Sequence, residues 1–137
     1  TPLYYRTFLA RWPERVAAAV SAVAQAREGG VVVHCTFGRD RSGLVALLLL
    51  GLAGVSADDI AEDHGMSQLR LRKHGPALGY SDDSIWVEAL LEGERTTGRD
   101  VIVDLMGALD VDAYLKEAGV GDADSTLLRE RLVLPSG

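Results

Sequence analysis

The stretch VVVHCTFGRDRSG, Val31 to Gly43, holds the chain's single cysteine, Cys35, and five residues separate it from Arg41. It opens on a β-branched run and leads into an apolar run that reads as a helix. Backbone N–H groups in a loop closing onto a helix start point inward and meet the positive end of the helix dipole, which makes a cradle for a tetrahedral oxyanion. A thiol in such a field ionises readily, and the thiolate is a nucleophile at neutral pH. Gly38 lets the loop turn with positive φ, and Arg41 offers a planar fork of donors suited to phosphate. His34 can fix the cysteine backbone through a hydrogen bond, and the Ser42 hydroxyl can donate to the thiolate or assist its departure. Asp40, the one carboxylate in the loop, can protonate a departing oxygen and then activate water.

These residues need elements to hold them. RWPERVAAAVSAVAQAREGG places Pro13 at a first helical position, Glu14 in the first turn and apolar residues at 16, 20 and 23, with Gly29 and Gly30 as the stop. VVV is then expected to be a short buried parallel strand, and Ser42 onward a core helix carrying Leu44, Val45, Leu47, Leu48, Leu49, Leu50 and Leu52. Ser56 followed by Asp59 starts another helix, SADDIAEDHGMSQLRLRKHG, which Gly65 is expected to interrupt or end. SDDSIWVEALLEGER and RDVIVDLMGAL are further helical candidates, the second also readable as a strand. VDAYLKEAG and DADSTLLRERLV close the chain as short helices. A lone strand leaves its N–H and C=O groups unpaired. Partner strands are therefore expected upstream of Thr1 or on a companion piece of chain, and an intact sheet within residues 1–137 would refute that.

HCTFGRDRSG resembles the His-Cys-x5-Arg-Ser/Thr signature of the cysteine-dependent protein tyrosine phosphatases. More narrowly, it is similar to the HCxxGKDRTG form of a bacterial branch of atypical tyrosine and dual-specificity enzymes, some of which accept phosphoinositides. GLVALLLLGLAGVSADDIAEDH resembles that branch as well, with His64 standing where Tyr is usual. The resemblance implies an α/β fold: a central parallel or mixed sheet flanked by helices, with a helix-rich C-terminal part and N-terminal strands missing from this chain, so that 1–137 is one partial catalytic domain. It implies that Cys35 forms a phosphocysteine and that Arg41 clamps the phosphate, with Asp40 as the acid and an acid upstream of Thr1 as the alternative. Thr36, Phe37, Gly38, Arg39, Asp40 and Arg41 would bind the substrate phosphate, with residue 39 helping to select substrate. Arg39 and Ser42 replace the branch's Lys and Thr. The implied substrates are phosphotyrosine, phosphoserine or phosphothreonine proteins, or phosphoinositides, with no cofactor and no metal.

Composition and charge narrow the rest. The chain has 137 residues, nearly half apolar and a quarter charged, with a net charge of −6, which argues against nucleic-acid binding by wholesale phosphate neutralisation. One cysteine makes no internal disulfide, His64 and His74 lack metal-ligand spacing, and a reducing, cytoplasmic setting is expected. The longest apolar run falls short of the ~18–20 residues that span a bilayer, so stable membrane insertion is not expected. Two rivals stand beside a hydrolase: a catalytically inactive phosphate-binding module, and a rhodanese-like sulfurtransferase, whose loop generally lacks the five-residue gap before Arg. Trp12-Pro13-Glu14 reads as a helix start rather than an acid-bearing loop, His64 as a surface or packing residue, and Arg70, Arg72, Lys73 and His74 as dipole-complementing cations or a basic rim.

Overall fold

In the computed structural model, which describes residues 1–81 and 83–132, the helix after the loop is α3, Arg41–Leu52. Its Leu44, Leu47, Leu48, Leu49 and Leu52 are all buried, and each such side chain stabilises the fold by about 1.5–3 kcal/mol relative to exposure. It packs against α2 (Pro13–Ala24), α4 (Ala57–His74), α7 (Val111–Ala118) and α8 (Asp122–Leu132). α1 (Tyr5–Arg11) precedes α2, while α5 (Ser84–Gly93) and α6 (Gly98–Ala108) lie between α4 and α7. Short 3-10 turns run from Pro2 to Tyr4 and from Pro76 to Leu78.

Local signals explain most boundaries. Pro13 and Glu14 open α2, and its Val16, Val20 and Val23 form a buried stripe at helical spacing. The helix stops at Ala24, before the glycine pair. Ser56 caps α4 by accepting from the Asp59 amide at 3.2 Å, and Arg72, Lys73 and His74 occupy its last turn, where cations complement the dipole. α4 runs through Gly65 without a break, so the expected interruption there does not occur.

The expectation of an α/β fold built on a central sheet is overturned, because no strand occurs among the described residues. Val31, Val32 and Val33 are 40 %, 87 % and 40 % exposed rather than buried between layers. Their β-branched side chains favour extended backbone, but a strand needs a neighbour to accept its N–H groups, and the segments before and after are helical. RDVIVDLMGAL could have supplied one and is instead α6. Thr97 caps it by accepting from the Asp100 amide at 3.1 Å, and Ile102 and Leu105, three apart, face the core. Capping and a helical apolar period outweigh the β preference of Val101, Ile102 and Val103. No helix among the described residues is long and apolar enough to cross a membrane.

Candidate active site

Cys35 sits in the segment between α2 and α3, seven residues before Ser42 in the first turn of α3. Its Sγ lies 3.3 Å from the Ser42 Oγ. Partial burial pushes the thiol up, but hydrogen bonds from the Ser42 hydroxyl and from the Ser42, Gly38 and Phe37 amides outweigh it and bring the thiol down to about 6. Gly38, at φ +68°, turns the loop so that its amide can reach the sulfur. The sulfur is therefore mostly thiolate at pH 7, ringed by donors.

The loop's two arginines, two positions apart, have opposite surroundings. Arg41 is exposed; its Nη2 donates weakly to the Thr36 Oγ1 at 3.4 Å, and no ion pair holds it among the described residues. Its fork is open to an anion. Arg39 is buried, with a side chain 6 % exposed, and every N–H of its guanidinium has an acceptor. Nη1 and Nη2 grip the two oxygens of Asp83 at 2.8 Å each, Nη1 also reaches Gln68 Oε1 at 2.8 Å, and Nε and Nη2 meet Asp40 Oδ2 at 3.2 and 3.1 Å. Thr36, Phe37 and Gly38 are exposed at the loop surface, as is His34.

Asp40 precedes α3, and its Oδ2 accepts from Nε and Nη2 of Arg39. Burial pushes this acid up, while the Arg39 guanidinium beside it pulls it down.

Beneath the loop lies a hub that the spacing of the motif does not announce. The Tyr5 hydroxyl, on a fully buried side chain, lies 3.0 Å from the Asp40 carbonyl, 3.2 Å from the Arg39 carbonyl and 2.8 Å from His64 Nε2. Carbonyls can only accept, so the hydroxyl proton points at them and the tyrosine oxygen accepts from His64 Nε2–H. Burial pushes His64 down, keeping it neutral at pH 7, and raises Tyr5. Gly43 completes the packing: a Cβ there would stand 3.1 Å from the Tyr5 hydroxyl and 3.3 Å from the His64 ring. The last glycine of the motif is thus explained by close approach. A cavity of about 220 Å³ beside the hub is lined by Val31, Val33, Ser42, Asp63, His64 and Ser67, among others.

The structure brings Cys35, Ser42, Gly38, Phe37 and Arg41 into one loop, and it ties Arg39 and Asp40 to partners that sequence reasoning had not singled out: Tyr5, Gln68 and Asp83. No local pattern marks those three, since they lie 29 to 44 positions from their loop partners. Arg72, one of the basic residues near the end of α4, pairs with Glu88 of α5 and donates to Ser84 Oγ at 3.1 Å, so it joins two helices.

A model of the tyrosine phosphatase family matches residues 2–134. A tyrosine-protein phosphatase of Nostoc commune is 44 % identical over 45 residues, 33 % of this chain and 15 % of that protein. A protein of Cupriavidus necator, provisionally named a tyrosine-protein phosphatase, is 39 % identical over 61 residues, 43 % of this chain and 22 % of that protein. The aligned segments thus span less than a quarter of either relative. No solved structure matches the chain.

Proposed function

The chain belongs to the tyrosine phosphatase family, and on that premise we propose that it hydrolyses aryl phosphate monoesters, phosphotyrosine in proteins above all, through a phosphocysteine. The observation that carries this reading is Cys35, a thiol lowered to about 6 by loop amides and the Ser42 hydroxyl, with an exposed arginine fork six residues on that no ion pair holds among the described residues. The thiolate attacks phosphorus in line, a sulfur–phosphorus bond forms and the phosphorus–oxygen bond to the leaving group breaks. Arg41 and the loop amides stabilise the equatorial oxygens as charge spreads over them.

The pairing of the Asp40 carboxylate with the Arg39 guanidinium favours one leaving-group class. An ionised carboxylate cannot protonate a departing oxygen, but it can accept a proton from water attacking the phosphocysteine in the second step. A phenol has an ordinary pKa of about 10 and leaves as phenolate with its proton supplied by solvent, whereas an alkoxide needs an acid. Aryl esters therefore suit this site better than phosphoserine, phosphothreonine or inositol phosphates. Asp40 is assigned to water activation, and Ser42 to stabilising the thiolate as it departs in that same step.

The test is hydrolysis of 4-nitrophenyl phosphate and of a phosphotyrosine peptide by the wild-type chain. Cys35→Ser should turn over neither and still bind tungstate, a phosphate mimic. A fully active Cys35→Ser would refute the nucleophile, and a wild-type chain that binds phosphopeptide without turnover would make it a binding module. Asp40→Asn should show a burst of nitrophenol followed by slow release, since the intermediate accumulates when water is not activated.

A further inference from the structure

Resting on that reading of the Cys35 loop, we propose that Arg39 is a positioning residue: through Asp83 it latches the connection between α4 and α5 against the loop and so builds an aromatic rim at the mouth of the site. Three observations meet here. First, the Arg39 guanidinium has no N–H left for a substrate phosphate, because Asp83, Asp40 and Gln68 take them all. Two carboxylates face this one cation, so the cluster presents no positive charge toward the mouth.

Second, Asp83 precedes α5 in the position where an aspartate usually caps a helix by accepting from its backbone, and its side chain makes no such bond. Both carboxylate oxygens go to Arg39 in an end-on, bidentate pair, the geometry that fixes direction as well as distance. Gln68 lies on α4. Arg39 therefore ties the loop both to the interior of α4, through Gln68, and to the residue just before α5, through Asp83, where the connection from α4 ends.

Third, that connection carries Tyr80, whose ring meets Phe37 edge to face with centroids 5.1 Å apart. Phe37 belongs to the loop, and its amide is one of the donors on Cys35 Sγ, so its side chain is carried by the same backbone that builds the cradle. Both rings remain more than a third exposed, leaving their outer faces open to a third ring. A crevice lined by Phe37, Leu71, Gly75, Tyr80, Ser81 and Asp83 runs along the same seam. Release of Asp83 would free the connection and carry Tyr80 away from Phe37, while the amides and Arg41 would keep their places.

The test compares Arg39→Lys, Asp83→Asn and their combination with the wild type. Asp83→Asn should raise KM for 4-nitrophenyl phosphate about 3- to 10-fold with little change in kcat, the size of one lost aromatic contact made alike in ground and transition states, while Arg39→Lys should raise KM by the same factor and, because Arg39 also holds Asp40, lower kcat as well. Inhibition by orthophosphate, which fills the cradle without touching the rim, should change less than about 2-fold. The double variant should be no worse than the worse single one, because both break the same pair. Asp83→Glu should recover part of the loss, and chymotrypsin should cut after Tyr80 faster in Asp83→Asn than in the wild type. Orthophosphate inhibition weakened in parallel with KM would make Arg39 a phosphate ligand instead, and an unchanged KM would also overturn the proposal. If the wild-type chain hydrolyses no aryl phosphate, the reading of Cys35 fails. The chymotrypsin comparison then still decides whether the latch exists, and equal cutting overturns it.

Discussion

The Sγ of Cys35 and the Oγ of Ser42 lie 3.3 Å apart across the start of α3. With the thiol ionised, the sulfur can only accept, so the hydroxyl donates to it. Removing that donor in Ser42→Ala leaves the amides in place. A hydrogen bond to a charged group contributes roughly 1.5 kcal/mol, so the thiol should rise by about one pKa unit. The pH dependence of iodoacetamide alkylation checks this: the wild type should be half-maximal near pH 6, the variant higher, and identical curves would remove Ser42 from the account.

Arg41 is judged by its geometry rather than its charge. Arg41→Lys keeps the cation but loses the planar fork, and one donor lost from an oxyanion site costs about 10²–10³ in rate. We expect kcat/KM for 4-nitrophenyl phosphate to fall by about that factor while Cys35 alkylation keeps its pH profile. A lysine variant within about 3-fold of wild type would show that charge alone suffices.

Two glycines should respond to alanine with opposite signs. At Gly43 the new methyl would crowd the Tyr5 hydroxyl and the His64 ring, neither of which can yield without loosening the hub. Overpacking costs about 1–3 kcal/mol and the helix gains up to about 1, so Gly43→Ala should be destabilising by about 1 kcal/mol. At Gly65, exposed within α4, nothing lies within 4 Å of an added Cβ, and Gly65→Ala should stabilise by up to about 1 kcal/mol. Urea midpoints measure both, and a stabilised Gly43→Ala would mean the hub gives way easily.

The hub also sets a pH dependence. Burial lowers His64 in the folded state, so as pH falls through about 6.5 the unfolded chain takes up the proton more readily than the folded one. Stability should therefore decline from pH 7 toward pH 5 and level off below the folded value. Cys35, also lowered, acts in the same direction at higher pH, so the measurement belongs in a Cys35→Ser background. His64→Gln keeps a donor for Tyr5 without a titrating ring and should flatten the decline. An equally steep decline in that variant would assign it to other groups.

Much of this arrangement is legible in the sequence, and the limits are physical. α2, α3 and the start of α4 follow from Pro13, the leucines of α3 and the Ser56 cap, all of which act within one or two turns. The ring of donors around Cys35 and the open fork of Arg41 follow from a ten-residue motif that folds locally. Val31 to Val33 mislead because a strand is a property of a pair, and their β-branched character says nothing about whether a partner exists. The roles of Arg39 and Asp40 were hidden for a similar reason. Each looks like a loop residue facing the ligand until Asp83 and Tyr5, distant in the chain, come to meet them.

The bare valine run bears on how the protein must be handled. Among the described residues no strand pairs with Val31 to Val33, and such an apolar run is a surface to which a second copy can add; Val32, at 87 % exposure, offers no protection. Specific activity should then depend on protein concentration, and a dilution series followed by light scattering belongs beside every rate, with Val32→Lys as the variant that keeps molecules apart.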